Sequence, residues 1–256
     1  MRLDLYLFQE GYTKSRQRAK SLIENGCVKL DGVVVKKPSY DVSSEEHQIE
    51  ITDECPYVSR GGLKLEGILN ATNTDVRGKV CLDIGASTGG FTHCLLLSGA
   101  SRVYAVDSGT DQLDESLRRD ERVVSMENFN ARGLSFDDIG EAVDIITIDV
   151  SFISQNLIIP RLCEVLKDDG VYLSLIKPQF EVGRAKVGKG GIVKDKSSRL
   201  LAVNSVIECA NSCGLVCNKL IKSPIQGGDG NIEYLACFNK HGKGIDATLI
   251  KKIVFE

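Results

Sequence analysis

Two charged residues stand where otherwise apolar strands have to end. Asp149 closes the run Ile145-Ile146-Thr147-Ile148, and Lys177 closes Leu173-Ser174-Leu175-Ile176. A charge leaving such a strand sits at a functional rim or is buried at high cost, so a working site and a structural Asp–Lys pair are the two readings. The chemistry open to the pair is proton removal. A poor nucleophile such as a ribose 2′-hydroxyl attacks a sulfonium methyl faster if its proton leaves as the bond forms, and a desolvated amine is a group that proteins tune for this. Lys64 would supply a second cation, with Asp149 and Glu233 orienting the two amines. Glu233 follows the turn Gly227 to Ile232, where an exposed strand-edge glutamate would be equally ordinary.

A second constellation reads as a cofactor site. The segment Cys81 to Phe91 follows a buried strand and opens a helix, the place where an open α/β sheet takes its ligand. Its spacing, Asp83-x-Gly85-x-x-x-Gly89, differs from the Gly-x-Gly-x-x-Gly that seats a pyrophosphate, which disfavours a dehydrogenase. An acid at the loop entrance would repel phosphate and suits a cationic or amino-bearing ligand. Asp107 ends the next strand, where a carboxylate can bond a ribose diol, and Glu127, Asn128 and Asn130 follow the third strand, where an adenine could be held. Together these fit S-adenosylmethionine, held by Asp83, Gly85, Ala86, Ser87, Gly89, Gly90, Phe91, Asp107, Glu127, Asn128 and Asp149. The glycine turn alone would be ordinary strand-to-helix punctuation; Asp107 makes it a cofactor signal.

These residues need a scaffold, and the texture of the chain supplies one. Strands are expected at Val80 to Ile84, Arg102 to Val106, Val123 to Met126, Val143 to Ile148, Val171 to Ile176, Cys217 to Ser223 and Glu233 to Phe238. Helices fall between most of them, notably Gly90 to Leu97, Gln155 to Leu166 and Ser198 to Cys213. Near-continuous apolar strands separated by helices predict an α/β, Rossmann-like, mostly parallel seven-stranded sheet covered on both faces. Before it, residues 1–55 predict a small α+β domain, with Asp53 to Pro56 as a linker and residues 56–256 as the catalytic domain. In the small domain Leu3, Leu7 and Phe8 share a helical face that Gly11 ends. Thr13 or Ser15 can cap a second helix with Ala19, Leu22 and Ile23 as its stripe, and Asp31-Gly32 predicts a hairpin.

Hydrophobic residues at 42% and charged residues at 26% are ordinary for a globular chain, excluding disorder or a coiled coil as a description of the whole. No apolar run approaches the ~20 residues of a membrane helix, and Met1-Arg2-Leu3-Asp4 is not a signal peptide, so a cytoplasmic location is expected. Nine cysteines without a Cys-x-x-Cys spacing read as buried reduced thiols, and no metal is expected. The net charge of −3 conceals segregation. Lys14 to Lys37 carries seven cations against two acids, Asp41 to Glu54 six acids and no Lys or Arg, and Lys177 to Arg199 seven cations against two acids. Two like-signed patches imply a polyanionic partner, although solvated surface charge is the bland alternative.

The motifs resemble known families. Arg2-Leu3-Asp4, Ser15-Arg16, Ala19, Ile23, Gly26-Cys27-Val28, Asp31-Gly32 and Lys37-Pro38 look like the S-four-type RNA-binding domain, named after ribosomal small-subunit protein four. Tyr57 to Leu65, Asp83 to Thr92, Thr147 to Ser154, Lys177 to Gly183, Gly188 to Val193 and Gly227 to Leu235 resemble the TlyA (hemolysin A) family, related to the FtsJ-type ribosomal RNA 2′-O-methyltransferases. The resemblance implies a tetrad of Lys64, Asp149, Lys177 and Glu233 with Lys177 as base, and methylation of a cytidine ribose in ribosomal RNA from S-adenosylmethionine without metal. The start near Arg2 resembles shorter members, for which large-subunit RNA is expected. RNA contact is expected from Arg2, Lys14, Arg16, Arg18, Lys20, Arg60, Arg184, Lys186 and Lys189, with ribosomal RNA or subunits as partner, no membrane, and a monomer favoured. A non-catalytic ribosome-assembly binder is the second reading. A pore-forming hemolysin is a third, disfavoured by the lack of an apolar span or barrel pattern.

Overall fold

The computed structural model describes every residue except 14–15, 25, 43–46, 53–54 and 229, together with the side chains of Gln17 and Ser21. The chain divides into two compact units, Met1–Ser59 and Arg60–Glu256.

In the first unit helices α1 (Leu3–Gln9) and α2 (Arg16–Glu24) accompany an antiparallel sheet of β1 (Val28–Leu30), β2 (Val33–Val34) and β3 (Ile49–Ile51), in the order β2-β1-β3. Leu3, Leu7, Ala19, Leu22, Ile23, Val28 and Leu30 form its core. The hairpin forms as the sequence predicts, because Asp31 (φ 51°) and Gly32 (φ 79°) both take the left-handed conformation of a two-residue primed turn. Phe8 departs from expectation and is exposed. The i, i+4 pair Leu3 and Leu7 sets the buried stripe of a seven-residue helix, and Phe8 lies about 100° round from Leu7. The proposed cap Ser15 lies outside the described residues.

In the second unit seven strands run in the order β6-β5-β4-β7-β8-β10-β9: β4 (Val80–Ile84), β5 (Arg102–Val106), β6 (Val123–Met126), β7 (Val143–Ile148), β8 (Leu166–Ile176), β9 (Val216–Lys222) and β10 (Tyr234–Asn239). Pairings among β4 to β8 are parallel, and β10 is antiparallel to both β8 and β9. The helices are α3 (Gly61–Thr72), α4 (Gly90–Leu97), α5 (Glu115–Arg118), α6 (Phe136–Ile139), α7 (Ile159–Val165), α8 (Pro178–Glu181), α9 (Lys196–Ser212) and α10 (Ala247–Phe255). Leu162, Val203, Val206 and Ile250 from α7, α9 and α10 share one core with Ile146, Tyr172, Tyr234, Ala236 and Phe238. Strand side chains alternate, so Glu233 and Leu235 point to the opposite face, where α3 packs on β10.

Two elements depart from the sequence expectation. The helix expected over Gln155 to Leu166 is a 3₁₀ turn at Gln155–Leu157 followed by α7, and β8 begins five residues early, through a register shift opposite Val143 and Ile145. Helix α3 was not among the windows named, because Gly61, Gly62 and Gly67 lower its intrinsic propensity. Packing explains Gly67, where a Cβ would come 3.0 Å from the Pro224 ring. This helix carries Lys64.

Candidate active site

The cleft lies where the strand order reverses, at the carboxyl ends of β4 and β7. It encloses about 370 Å³ and is lined by Gly85, Ser87, Asp107, Gln112, Asn130, Asp149 and Phe152, among others. Gly85 (φ 81°) makes the floor possible: a Cβ there would lie 2.5 Å from the Asp149 carbonyl oxygen. Asp107 ties the turn to the next strand, accepting from Ser87 N at 2.8 Å and Gly109 N at 2.7 Å. Of the residues expected to hold a cofactor, Gly85, Ser87, Asp107 and Asp149 line this cleft. Gly89, Gly90, Phe91 and Ala86 form the turn and the buried start of α4 beside it.

The remaining two acids, Glu127 and Asp83, lie outside that lining. Glu127 accepts from the amides of Asp111, Gln112 and Leu113 and pairs with Arg118, and those backbone bonds hold its carboxyl below the usual range. It shapes the loop that delivers Gln112, while Asn128 (φ 59°) donates its amide to the Gly109 carbonyl. Asp83 is fully buried and points into the sheet, accepting from Thr92 Oγ1 at 2.7 Å and Thr147 Oγ1 at 2.9 Å. Burial pushes its carboxyl up to about 6. Below pH ~4 the group is protonated whether folded or not, and as pH rises through 6 the folded state must carry a charge it resists, losing about 3 kcal/mol. Asp83→Asn is therefore expected to gain about 3 kcal/mol relative to the parent between pH ~4 and ~7, read by urea unfolding across that range. A pH-independent gap would refute this.

Beyond the ends of β7 and β8 the structure assembles four residues as two ion pairs. Tyr234 is registered with Ile176, so Glu233 and Lys177 leave adjacent strands side by side. Lys64 Nζ donates to Glu233 Oε2 at 2.6 Å, with side chains 11% and 3% exposed. Lys177 Nζ lies 2.5 Å from Asp149 Oδ1 and donates to Ser151 Oγ at 2.9 Å. The Asp149 contact is an ion pair whose angles fall outside a hydrogen bond, since buried Oδ1 has no hydrogen-bond partner. The loop after β7 is braced from below: Glu181 accepts from Ser154 Oγ at 2.6 Å and Gln155 N at 3.1 Å, and burial pushes its carboxyl up.

Sequence reasoning missed Gln112, Ser151 and Phe152. Phe152 (φ 64°) is 92% exposed at the rim, its ring 5.2 Å from that of Phe180. Its signal was available, an aromatic side chain three residues beyond the charge that ends β7. A second cleft of about 420 Å³ lies at the opposite rim, at Lys79, Ile145 and Val171, away from the tetrad. Its Asp144 is occupied by Val80 N and Lys167.

The basic residues fall in both units. Arg2 and Arg16 meet on Asp4, Arg18 donates to the Val58 carbonyl at 2.9 Å, Lys20 lies 3.8 Å from Glu24, and Lys14 is outside the described residues. In the second unit Arg60 precedes α3, while Arg184, Lys186 and Lys189 are exposed on short 3₁₀ turns. Asn231 fixes the end of that loop, accepting from Val193 N and donating to the Gly191 carbonyl. Four cysteines are buried and five half-buried, so the expectation of uniformly buried thiols holds only in part. Burial pushes Cys81 and Cys217 up to about 12, which leaves them inert. Among the described residues no cluster suits a metal ion, and no helix is long and apolar enough to cross a membrane.

A family model described as FtsJ-like methyltransferase matches residues 57–240, and one described as S4 domain matches residues 1–49. Hemolysin A of Brachyspira hyodysenteriae is 45% identical over 239 residues, 93% of this chain and 99% of that protein. The 16S/23S rRNA (cytidine-2′-O)-methyltransferase TlyA of Mycobacterium tuberculosis is 44% identical over 234 residues, 91% of this chain and 87% of that one. A solved structure of a hemolysin-named protein from Streptococcus thermophilus matches with TM-score 0.80 at 40% identity, covering 100% of this chain and 94% of the other. The α/β fold of the second unit is that of S-adenosylmethionine-dependent methyltransferases.

Proposed function

The chain belongs to the TlyA (hemolysin A) family of FtsJ-like methyltransferases, and from that membership we propose that it methylates the 2′-oxygen of a cytidine ribose in ribosomal RNA, with S-adenosylmethionine as donor. The observation that carries the reading is Lys177 paired with Asp149 and bonded to Ser151, two residues that line the cleft. The cleft fits the donor: Gly85 leaves room beside the Asp149 backbone, and Asp107 presents a carboxylate at a strand end, suited to a ribose diol. Gly85, Ser87, Asp107, Gln112 and Asn130 would hold it. When bound, it supplies an electrophilic sulfonium methyl.

The chain's own residues then have separable tasks. Lys177 Nζ acts in its neutral form, having first given up its own proton, and takes the hydroxyl proton while Asp149 and Ser151 hold that amine in place. Lys64 and Glu233 form the neighbouring pair that completes the rim. Phe152 offers an exposed ring face on which a base turned out of its stack can rest; such stacking is worth about 1–3 kcal/mol per base. Arg184, Lys186 and Lys189 supply phosphate contacts without sequence choice.

The deciding experiment offers labelled S-adenosylmethionine to separated ribosomal subunits and to naked ribosomal RNA, then maps the modified ribose. Label on a cytidine 2′-oxygen is expected. RNA binding with no incorporation anywhere would favour the reading of a non-catalytic assembly factor.

A further inference from the structure

The first unit contains a buried acid that the methyl-transfer reading does not use. Asp4 is 2% exposed, yet both its oxygens serve arginines: Oδ1 accepts from Arg2 Nε at 2.9 Å, and Oδ2 from Arg2 Nη2 at 3.1 Å and Arg16 Nε at 3.0 Å. The Arg2 bond is the main reason its carboxyl is held below the usual range, against the opposing effect of burial. The two cations stay half in water, with side chains 49% and 52% exposed. A buried ion pair is weak evidence for stability, because apolar residues of similar volume often serve as well or better. What the arrangement does achieve is to hold two like charges on one carboxylate, with a local charge of +1 and the outer N–H groups of each planar fork directed away from it.

We propose that Asp4 is a positioning residue that builds a single phosphate site from Arg2 and Arg16, and that its ligand is one phosphodiester of RNA. The inference rests on the RNA reading above. The chemistry favours a tetrahedral oxyanion: Arg2 Nε and Nη2 and Arg16 Nε are taken by one carboxylate, and the N–H groups left on each fork are the donors that phosphate oxygens accept from. Lysines scattered over a surface would give charge without this geometry.

Charge alone and positioning predict opposite signs, which makes the site testable. Removing a negative charge near a polyanion strengthens binding if only the sum matters. In filter binding of the full-length protein to purified ribosomal RNA across about 50–300 mM KCl, Asp4→Asn is expected to weaken binding about 5- to 10-fold and to lower the slope of log K against log salt by about one phosphate contact. Arg2→Gln and Arg16→Gln should each lower the slope by about the same amount, and the double variant no further. These arginine variants remove half-exposed side chains, so they carry the test if Asp4→Asn fails to fold. Binding by a folded Asp4→Asn as tight as the parent's or tighter, or a slope loss in the double variant near two contacts, would overturn the shared site while leaving the RNA reading intact. No RNA binding by the parent would overturn both.

Discussion

Lys177→Ala is expected to lower the rate of methyl transfer by about 10²- to 10⁴-fold, the usual contribution of a positioned general base, while RNA affinity stays within about twofold. The expectation follows from placement. Lys177 follows β8 beside Glu233 and reaches Asp149 and Ser151, both of which line the cleft. Its partner Asp149 has a side chain 21% exposed although Oδ1 itself is buried, and truncating the lysine opens that oxygen to water, so the fold should survive. Lys177→Arg separates the two roles open to the amine. A guanidinium keeps the positive charge but does not give up its proton in proteins, so the arginine variant should be as inactive as the alanine variant if proton removal is the role. Single-turnover transfer with saturating donor checks both. A rate above a tenth of the parent's in either variant would refute the assignment.

Glu233→Ala should act mainly on stability, with a loss of about 3–5 kcal/mol in the unfolding of the second unit. It removes the partner of Lys64 at 2.6 Å and leaves an ammonium in a place where only 11% of its side chain meets water. The turn before Glu233 is built to this carboxylate, since a Cβ on Gly227 would come 2.6 Å from Glu233 Oε1. Replacing both partners, as Lys64→Met with Glu233→Leu, should restore most of the stability and none of the activity, because the apolar pair needs no counterion. Urea unfolding gives the first quantity and methyl transfer the second. A loss below about 1 kcal/mol for Glu233→Ala would show that water reaches Lys64.

Strands β4 to β7 were legible to the residue, because runs such as Ile145-Ile146-Thr147-Ile148 combine branched side chains with burial on both faces. Asp149 and Lys177 were legible as charges that such strands do not tolerate. Lys64 and Glu233 were named through the resemblance and not through spacing, since they lie 169 positions apart and one sits on a glycine-rich helix. Asp83 and Glu127 show a second limit. The sequence places an acid at each strand end but does not show where its oxygens point, and here they meet Thr92 and Thr147 in one case and three successive loop amides in the other. Carboxylates that serve backbone leave no spacing to read. Phe152 was readable as an aromatic beyond the charge that ends β7, but its exposure was not, because it accompanies a left-handed backbone conformation that a phenylalanine rarely adopts.

The antiparallel β10 has a consequence for the order in which the site can exist. It pairs with β8 on one side and β9 on the other, although it follows both in the chain. The glycine turn, Asp107 and the Lys177–Asp149 pair involve only residues that precede β10, whereas Lys64 has its carboxylate only with that strand in place. Insertion of β10 between β8 and β9 is what brings Glu233 beside Lys64. The Lys64–Glu233 pair is therefore conditional on a completed sheet, and a loosened β10 would cost that pair while leaving Lys177 and Asp149 in place.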